Sequence, residues 1–219
     1  GPNGVDVHEA IYKFSNDGNT LLWKQVDPAS KMSRQEQRAM TNLGHTDFGD
    51  PAVLTFLPDG EHFLLADGYQ NGRVQKWTTS GEWVSEFGMI NRDPAVGGPP
   101  GAFDLMHGIA VDRARRIYVG DRNNDRIQVF GLDGTPRRII GSGGSDPGHF
   151  NAPGGVAIAP NGDLFVADFY NQRVQQLRAD GKFIRQWGTT GAVGIWSGEF
   201  NYPTDVVLGP GGVLLVADG

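Results

Sequence analysis

The strongest constraint on the fold of this chain is a repeat of about fifty residues. Three stretches read alike: ADGYQNGRVQKW from Ala66, GDRNNDRIQVF from Gly120 and ADFYNQRVQQL from Ala167. Each contains an aspartate followed five or six residues later by Arg-Val-Gln or Arg-Ile-Gln, and a fourth unit begins near the end of the sequence. The repeated aspartates are Asp67, Asp121, Asp168 and Asp218. A β-rich unit of this period predicts the blades of a propeller.

Each unit carries the signals of four antiparallel strands. The first strand is short and apolar, as in GIAVD at Gly108, and a turn such as Asn161-Gly162 follows it. The second strand ends at the aspartate, and the third begins with Arg. A second turn, such as Asp180-Gly181, then leads into the fourth strand. Asn-Gly and Asp-Gly supply the positive φ angles of tight hairpins. Residues 1–219 are therefore predicted to form a single all-β domain built from four-stranded blades.

The two ends of the sequence complement each other. Residues 5–26 align with the third and fourth strands of a blade, and residues 201–219 align with the first and second. Together they would complete one blade and close a four-bladed monomeric ring without free sheet edges. The alternative is part of a six-bladed ring, which needs roughly 300 residues at this period. One short helix is predicted at Ser33–Met40, where Ser33 and Glu36 match a capping box.

Composition excludes several classes of function. The net charge is −6 and the pI about 5.3, which disfavours nucleic acid and anionic lipid as partners and leaves RNA binding as a weak third option. Without cysteine the chain has neither disulfides nor thiolate metal sites. Its longest apolar runs fall far short of the roughly 18 residues of a membrane helix. No phosphate-binding glycine loop or serine nucleophile elbow is present.

Antiparallel pairing places the start of each first strand and the end of each second strand at one edge of the ring. Any ligand site is expected on that face, where a funnel mouth collects convergent polar groups. Two sets of residues fall there. The first is the strand entries Ala52, His107, Gly154 and Thr204, with Asp205 beside the last. The second is the residues two positions past an aspartate, which are His8 after Asp6, Tyr69 after Asp67, Asn123 after Asp121 and Tyr170 after Asp168. We expect small molecules or peptides to bind through His8, Tyr170, Thr204 and Asp205.

The repeat resembles NHL repeats, and three of its runs resemble motifs of peptidyl-α-hydroxyglycine α-amidating lyase. These are DGYQNGRVQKW, FDLMHGIAVD from Phe103 and DRNNDRIQVF. The resemblance implies a catalytic tyrosine at Tyr69, a zinc-ligating histidine at His107 and an arginine of a DRxN motif at Arg122. It also implies that the family's catalytic arginine and first zinc histidine would precede Gly1. We favour an extracytoplasmic or secreted location for the protein.

The resemblance breaks at the metal site. The third zinc histidine of the family falls on Thr204, whereas a catalytic zinc needs three protein ligands and an open position. His8 and His45 are the other candidates to join His107; His62 and His149 are expected to be exposed. Zinc is therefore possible, but we expect at most weak binding and no other cofactor.

Some arginines recur at the same position in every unit, whereas Arg122 occurs in one unit only. Arg73, Arg126 and Arg173 recur with the aspartates, so a structural ion pair is the simpler interpretation. Arg122 occurs once and could orient a carboxylate with two hydrogen bonds. These observations predict a propeller that binds a ligand or a protein on its face; the alternative is a zinc-dependent lyase in which Tyr69 is the base.

Overall fold

The computed structural model describes residues 10–26, 44–45, 47–91, 97–194 and 196–219. Over these ranges the chain is all-β, with short 3₁₀ turns and no α-helix, which agrees with the predicted fold class. The predicted helix Ser33–Met40 lies outside the described residues. Among the described residues, no helix is long and apolar enough to span a membrane.

Three antiparallel four-stranded sheets form the body of the structure, and their strands follow one another in chain order. Blade 1 consists of β3 (Val53–Phe56), β4 (His62–Asp67), β5 (Arg73–Thr78) and β6 (Trp83–Phe87). Blade 2 consists of β9 (Met106–Val111), β10 (Arg116–Asp121), β11 (Arg126–Gly131) and β12 (Pro136–Ile140). Blade 3 consists of β13 (Pro153–Ile158), β14 (Leu164–Asp168), β15 (Arg173–Leu177) and β16 (Phe183–Trp187). Between blades 1 and 2, β7 (Met89–Ile90) and β8 (Ala102–Phe103) form a short parallel pair.

Two-stranded sheets flank the three blades. The first hairpin is β1 (Ala10–Phe14) with β2 (Leu21–Val26), and the last is β17 (Pro203–Leu208) with β18 (Leu214–Asp218). The predicted sharing of one blade would place β18 beside β1. In the structure these strands belong to separate sheets, so the shared blade and the closed four-bladed ring are not confirmed.

The hydrophobic core lies between the sheets. Strand β9 contacts β3 on one side and β13 on the other, and β13 contacts β17, so successive blades pack through their first strands. The second strands are buried along nearly their whole length because a neighbouring sheet covers each face, whereas the fourth strands β6 and β12 are largely exposed. The layer between blades 1 and 2 includes Leu64, Val74, Met106, Ile117 and Phe130.

Glycine is required where the first strands of neighbouring sheets approach each other. A Cβ atom on Gly108 would lie 2.4 Å from the carbonyl oxygen of Gly154, and one on Gly154 would lie 2.4 Å from that of Thr204. Any side chain here would push adjacent blades apart. These glycines therefore set the spacing of β9, β13 and β17.

The aspartates of the three four-stranded blades, Asp67, Asp121 and Asp168, are each the centre of a buried hydrogen-bond network. In blade 3, Asp168 accepts hydrogen bonds from the Asn151 amide at 2.7 Å, from Nε of Arg173 at 2.8 Å and from the Gln175 side chain at 2.9 Å. Burial raises the pKa of Asp168, and the Asn151 and Arg173 contacts act in the opposite direction. The remaining guanidinium nitrogens of Arg173 donate to loop carbonyls, including that of His149. The network thus joins the second and third strands to the loop that enters the first.

We predict that Arg173→Met lowers the free energy of unfolding by about 3–5 kcal/mol, because it leaves a buried carboxylate without its cation. Urea denaturation followed by tryptophan fluorescence measures the change. Lys182→Gln is the matched control: its ion pair with Asp180 spans 3.8 Å and the lysine side chain is 75% exposed, so the expected loss is under about 1 kcal/mol. Equal losses in the two variants would contradict the proposed structural role.

Candidate functional site

The strand register shows which residues occupy equivalent positions at one edge of the sheets. Met106 pairs with Asp121, Pro153 with Asp168 and Pro203 with Asp218. The next residue along each first strand is therefore equivalent, as the sequence predicted for His107, Gly154 and Thr204. Short 3₁₀ turns at Arg122–Asn124 and Phe169–Asn171 follow two of the aspartates and hold the loop side chains at this edge.

Tyr69 and His107 meet across the boundary between blades 1 and 2. Their ring centroids lie 6.1 Å apart in an edge-to-face arrangement. His107 is half-buried, and this burial lowers the pKa of its imidazole. The positive charge of Arg122 lowers this pKa further, whereas the carboxylate of Asp205 opposes both effects. Burial and the Arg122 charge therefore favour the neutral imidazole of His107, and the Asp205 carboxylate favours the charged form.

Arg122 lies against aromatic rings of blade 3. Its guanidinium carbon is 4.6 Å from the centroid of Phe169 and 5.9 Å from that of Tyr170. Tyr202, from the loop before β17, packs on the same rings, with centroid distances of 5.1 Å to Phe169 and 6.1 Å to Tyr170. Both tyrosines keep more than a third of their surface exposed. The result is a cation held on an aromatic platform that is open to solvent.

Thr204 and Asp205 occupy the predicted edge with different roles. The Thr204 hydroxyl donates to the Ala217 carbonyl at 3.2 Å, so it is engaged by its own hairpin. Asp205 is exposed and acts on His107 through its charge, while its Oδ1 also accepts the Val206 amide at 2.8 Å. The structure thus brings Asp205 into the electrostatic surroundings of His107.

The described residues do not assemble a zinc site. No group of three histidine, cysteine, aspartate or glutamate side chains in these ranges could hold a metal. The cation beside His107 is Arg122, which repels a second cation. His8 lies outside the described residues, so its predicted place on the face stays a prediction.

The other histidines lie elsewhere. His45 stacks on Trp83 of the outermost strand β6 at 4.6 Å, on the periphery of blade 1 rather than over the funnel. His62 bonds Asp59 at 3.0 Å and is partly buried. His149 is also partly buried, and its Nδ1 has no protein partner, so neither histidine is as exposed as the sequence predicted.

Phe169 and Tyr202 belong to the site but were not predicted from the sequence. A signal for Phe169 was present, because it occupies the same place after Asp168 as Arg122 does after Asp121. For Tyr202 no repeat signal exists, because its ring enters from the loop before the next unit. Only packing shows that these rings meet Arg122.

The comparisons agree with the repeat and with the fold. The NHL repeat family model matches residues 103–130 and 150–177, so the chain contains NHL repeats. Human NHL repeat-containing protein 3 is 32% identical over 94 residues, which are 42% of this chain and 25% of that protein. Peptidyl-alpha-hydroxyglycine alpha-amidating lyase 1 of Drosophila melanogaster is 34% identical over 89 residues, 38% of this chain and 16% of that protein.

A solved structure of streptogramin B lyase superimposes with a TM-score of 0.58 at 18% identity. The match covers 78% of this chain and 49% of that one, and it supports the propeller-like architecture alone. The present chain thus spans a quarter or less of the two sequence relatives and about half of the structural neighbour.

The charges around His107 predict opposite responses to two substitutions. Arg122→Gln removes a positive neighbour and should raise the pKa of His107, whereas Asp205→Asn removes a negative neighbour and should lower it. Proton NMR titration of the imidazole in metal-free buffer measures both, with His107→Gln to assign the resonance. Shifts of the same sign would show that Arg122 and Asp205 do not face His107 in solution.

Proposed function

We propose that this chain is a propeller scaffold that binds a small molecule or peptide carrying a carboxylate on the face around Arg122. The observation that carries the proposal is the placement of the Arg122 guanidinium on the rings of Phe169 and Tyr170. Stacking fixes the plane of the guanidinium and leaves its edge available as a two-donor fork for a carboxylate.

The surroundings of Arg122 suit such a ligand. Tyr170 is 53% exposed and Tyr202 38% exposed, so both offer aromatic surface next to the cation. His107, neutral and half-buried, provides a polar contact on the blade 1 side, and Asp205 can receive an amide or ammonium donor. A ligand with a carboxylate and an adjacent apolar group would use both parts of the face.

N-acetyl-Phe-Gly with a free carboxylate, compared with its C-terminal amide, tests the proposal. We expect Arg122→Gln to weaken binding of the acid about tenfold and to leave the amide unaffected, because only the acid forms a charge-assisted pair. Tyr170→Ala should weaken both. Lys182→Gln, which removes one charge far from this face, is the control and should change neither. Calorimetric titration that finds acid and amide bound equally by the wild type would overturn the assignment.

A zinc-dependent lyase is the second candidate, favoured by the contact between Tyr69 and His107 and by the similarity to an amidating lyase. Such an enzyme breaks the C–N bond of a peptidyl-α-hydroxyglycine to release an amide and glyoxylate. Bound zinc would supply Lewis acidity, yet the described residues offer it one imidazole beside a guanidinium, which is a poor fit.

The lyase candidate is tested by zinc stoichiometry together with glyoxylate release. We expect this chain to bind less than equimolar zinc and to release no glyoxylate from an α-hydroxyglycine peptide. Equimolar zinc with turnover that His107→Ala abolishes would replace the binding function by the enzymatic one.

The larger ring is the architecture we propose for these blades. Phe56 on β3 is 63% exposed and Val207 on β17 is 55% exposed, although the equivalent strands of blades 2 and 3 are covered by a neighbouring sheet. Apolar residues are thus exposed on β3 and on β17, and β1 and β18 lie in separate sheets. Both observations support a ring of six blades over a closed ring of four.

A further inference from the structure

Blade 2 carries a dense group of arginines at the rim opposite to the candidate face. Its two turns, residues 112–116 and 131–138, contain five arginines and two aspartates in a chain of net charge −6. These turns connect β9 to β10 and β11 to β12, so they lie together at the lower edge of the sheet. The arginines are Arg113, Arg115, Arg116, Arg137 and Arg138.

A groove of about 540 Å³ runs between the arginines. Its floor is Gly131, which pairs with Arg116 on β10, while the Arg137 guanidinium lies over the same residue from β12. The equivalent positions of blades 1 and 3 are Thr78 and Arg178, so of the three blades only blade 2 has a glycine at this position. The missing side chain leaves the floor of the groove open to the neighbouring guanidinium groups.

Arg115 is held in an unfavourable backbone conformation at the mouth of this groove. Its φ is 61°, and its amide donates to the Asp112 carbonyl at 2.9 Å. In blades 1 and 3 the same turn position is taken by Gly60 and Gly162, with φ of 70° and 91° and the corresponding hydrogen bonds. A side chain in this left-handed region is strained where glycine is not, and strain retained at one repeat points to a role for that side chain.

Two of the groove's polar groups are already partly engaged. Arg116 pairs with Asp112 at 2.6 Å, and Asp133 accepts the Thr135 amide at 3.0 Å. Within the described residues, Arg115 and Arg137 form no ion pair within 4.0 Å, and both are exposed. An anion entering the groove could therefore bind both guanidinium groups, and at Arg137 it would compete with the nearby Asp133 carboxylate, whose pKa the Arg137 charge lowers.

From this geometry we propose that the blade 2 groove binds a short acidic peptide segment through Arg115 and Arg137. Carboxylates match the planar guanidinium fork. An extended polyanion such as nucleic acid is opposed by blade 1, whose corresponding turns carry Asp59, Glu61 and Glu82 and no lysine or arginine. In blade 3 the carboxylates of Asp163 and Asp180 are balanced by Arg178 and Lys182, so the excess of positive charge is confined to blade 2. A segment of a few Asp or Glu residues matches this confined patch.

The test uses acetyl-(Glu)₄-amide as the probe, acetyl-(Gln)₄-amide as the uncharged peptide and a ten-residue oligothymidylate as the nucleic acid. We expect the wild type to bind the glutamate peptide with an affinity that falls as salt rises, and to bind the other two more weakly. Tighter binding of the oligothymidylate would overturn the assignment to a peptide.

Arg115→Gly is the decisive variant because its effects on stability and on binding have opposite signs. Glycine adopts the positive φ without strain, so the melting temperature should rise, while affinity for the glutamate peptide should fall about tenfold. Arg137→Gln should lower the affinity for the glutamate peptide by a similar factor without raising the melting temperature. The control Lys182→Gln removes one charge from the corresponding turn of blade 3 and should leave affinity unchanged. Unchanged affinity in Arg115→Gly, or an equal loss in Lys182→Gln, would overturn the proposal.

Discussion

The buried aspartate network is the interaction on which the rest of the structure depends. Asp67, Asp121 and Asp168 are fully buried, and each binds an arginine from the third strand and the amide of a residue at the entry of the first strand. A buried carboxylate is tolerated only when its charge and lone pairs are satisfied. The same contacts that satisfy it fix the loops at the upper edge of every blade, so one ion pair per repeat organises the face.

The two residues directly after each of these aspartates make no hydrogen bond to its carboxylate and differ from blade to blade. Where the network ends, the loops present Tyr69 in blade 1, Arg122 in blade 2 and Phe169 with Tyr170 in blade 3. Adjacent blades are close enough, through the glycine contacts of Gly108 and Gly154, for these side chains to touch. A repeated scaffold with variable loops at one edge is how a propeller acquires a specific site.

The opposite rim is also a repeated element whose side chains differ from blade to blade. Its hairpin turns are set by residues with positive φ, which are Gly60 and Gly162 in blades 1 and 3 and Arg115 in blade 2. The candidate face combines one cation with aromatic rings, whereas the rim of blade 2 has guanidinium groups and the Asp133 carboxylate around Gly131. The two surfaces are separated by the length of a strand, so ligands on one need not contact the other.

The sequence by itself determined the repeat, the strand order within a blade, the buried aspartate–arginine pairs and the edge on which His107, Tyr69, Tyr170 and Thr204 lie. These follow from local patterns, since hairpin turns and strand alternation act over a few residues. Tertiary structure alone decided the aromatic platform under Arg122, the low pKa of His107, the burial of His149 and the separation of β1 from β18. Each of these depends on contacts between blades or between chain ends, where distance along the chain carries no information about distance in space.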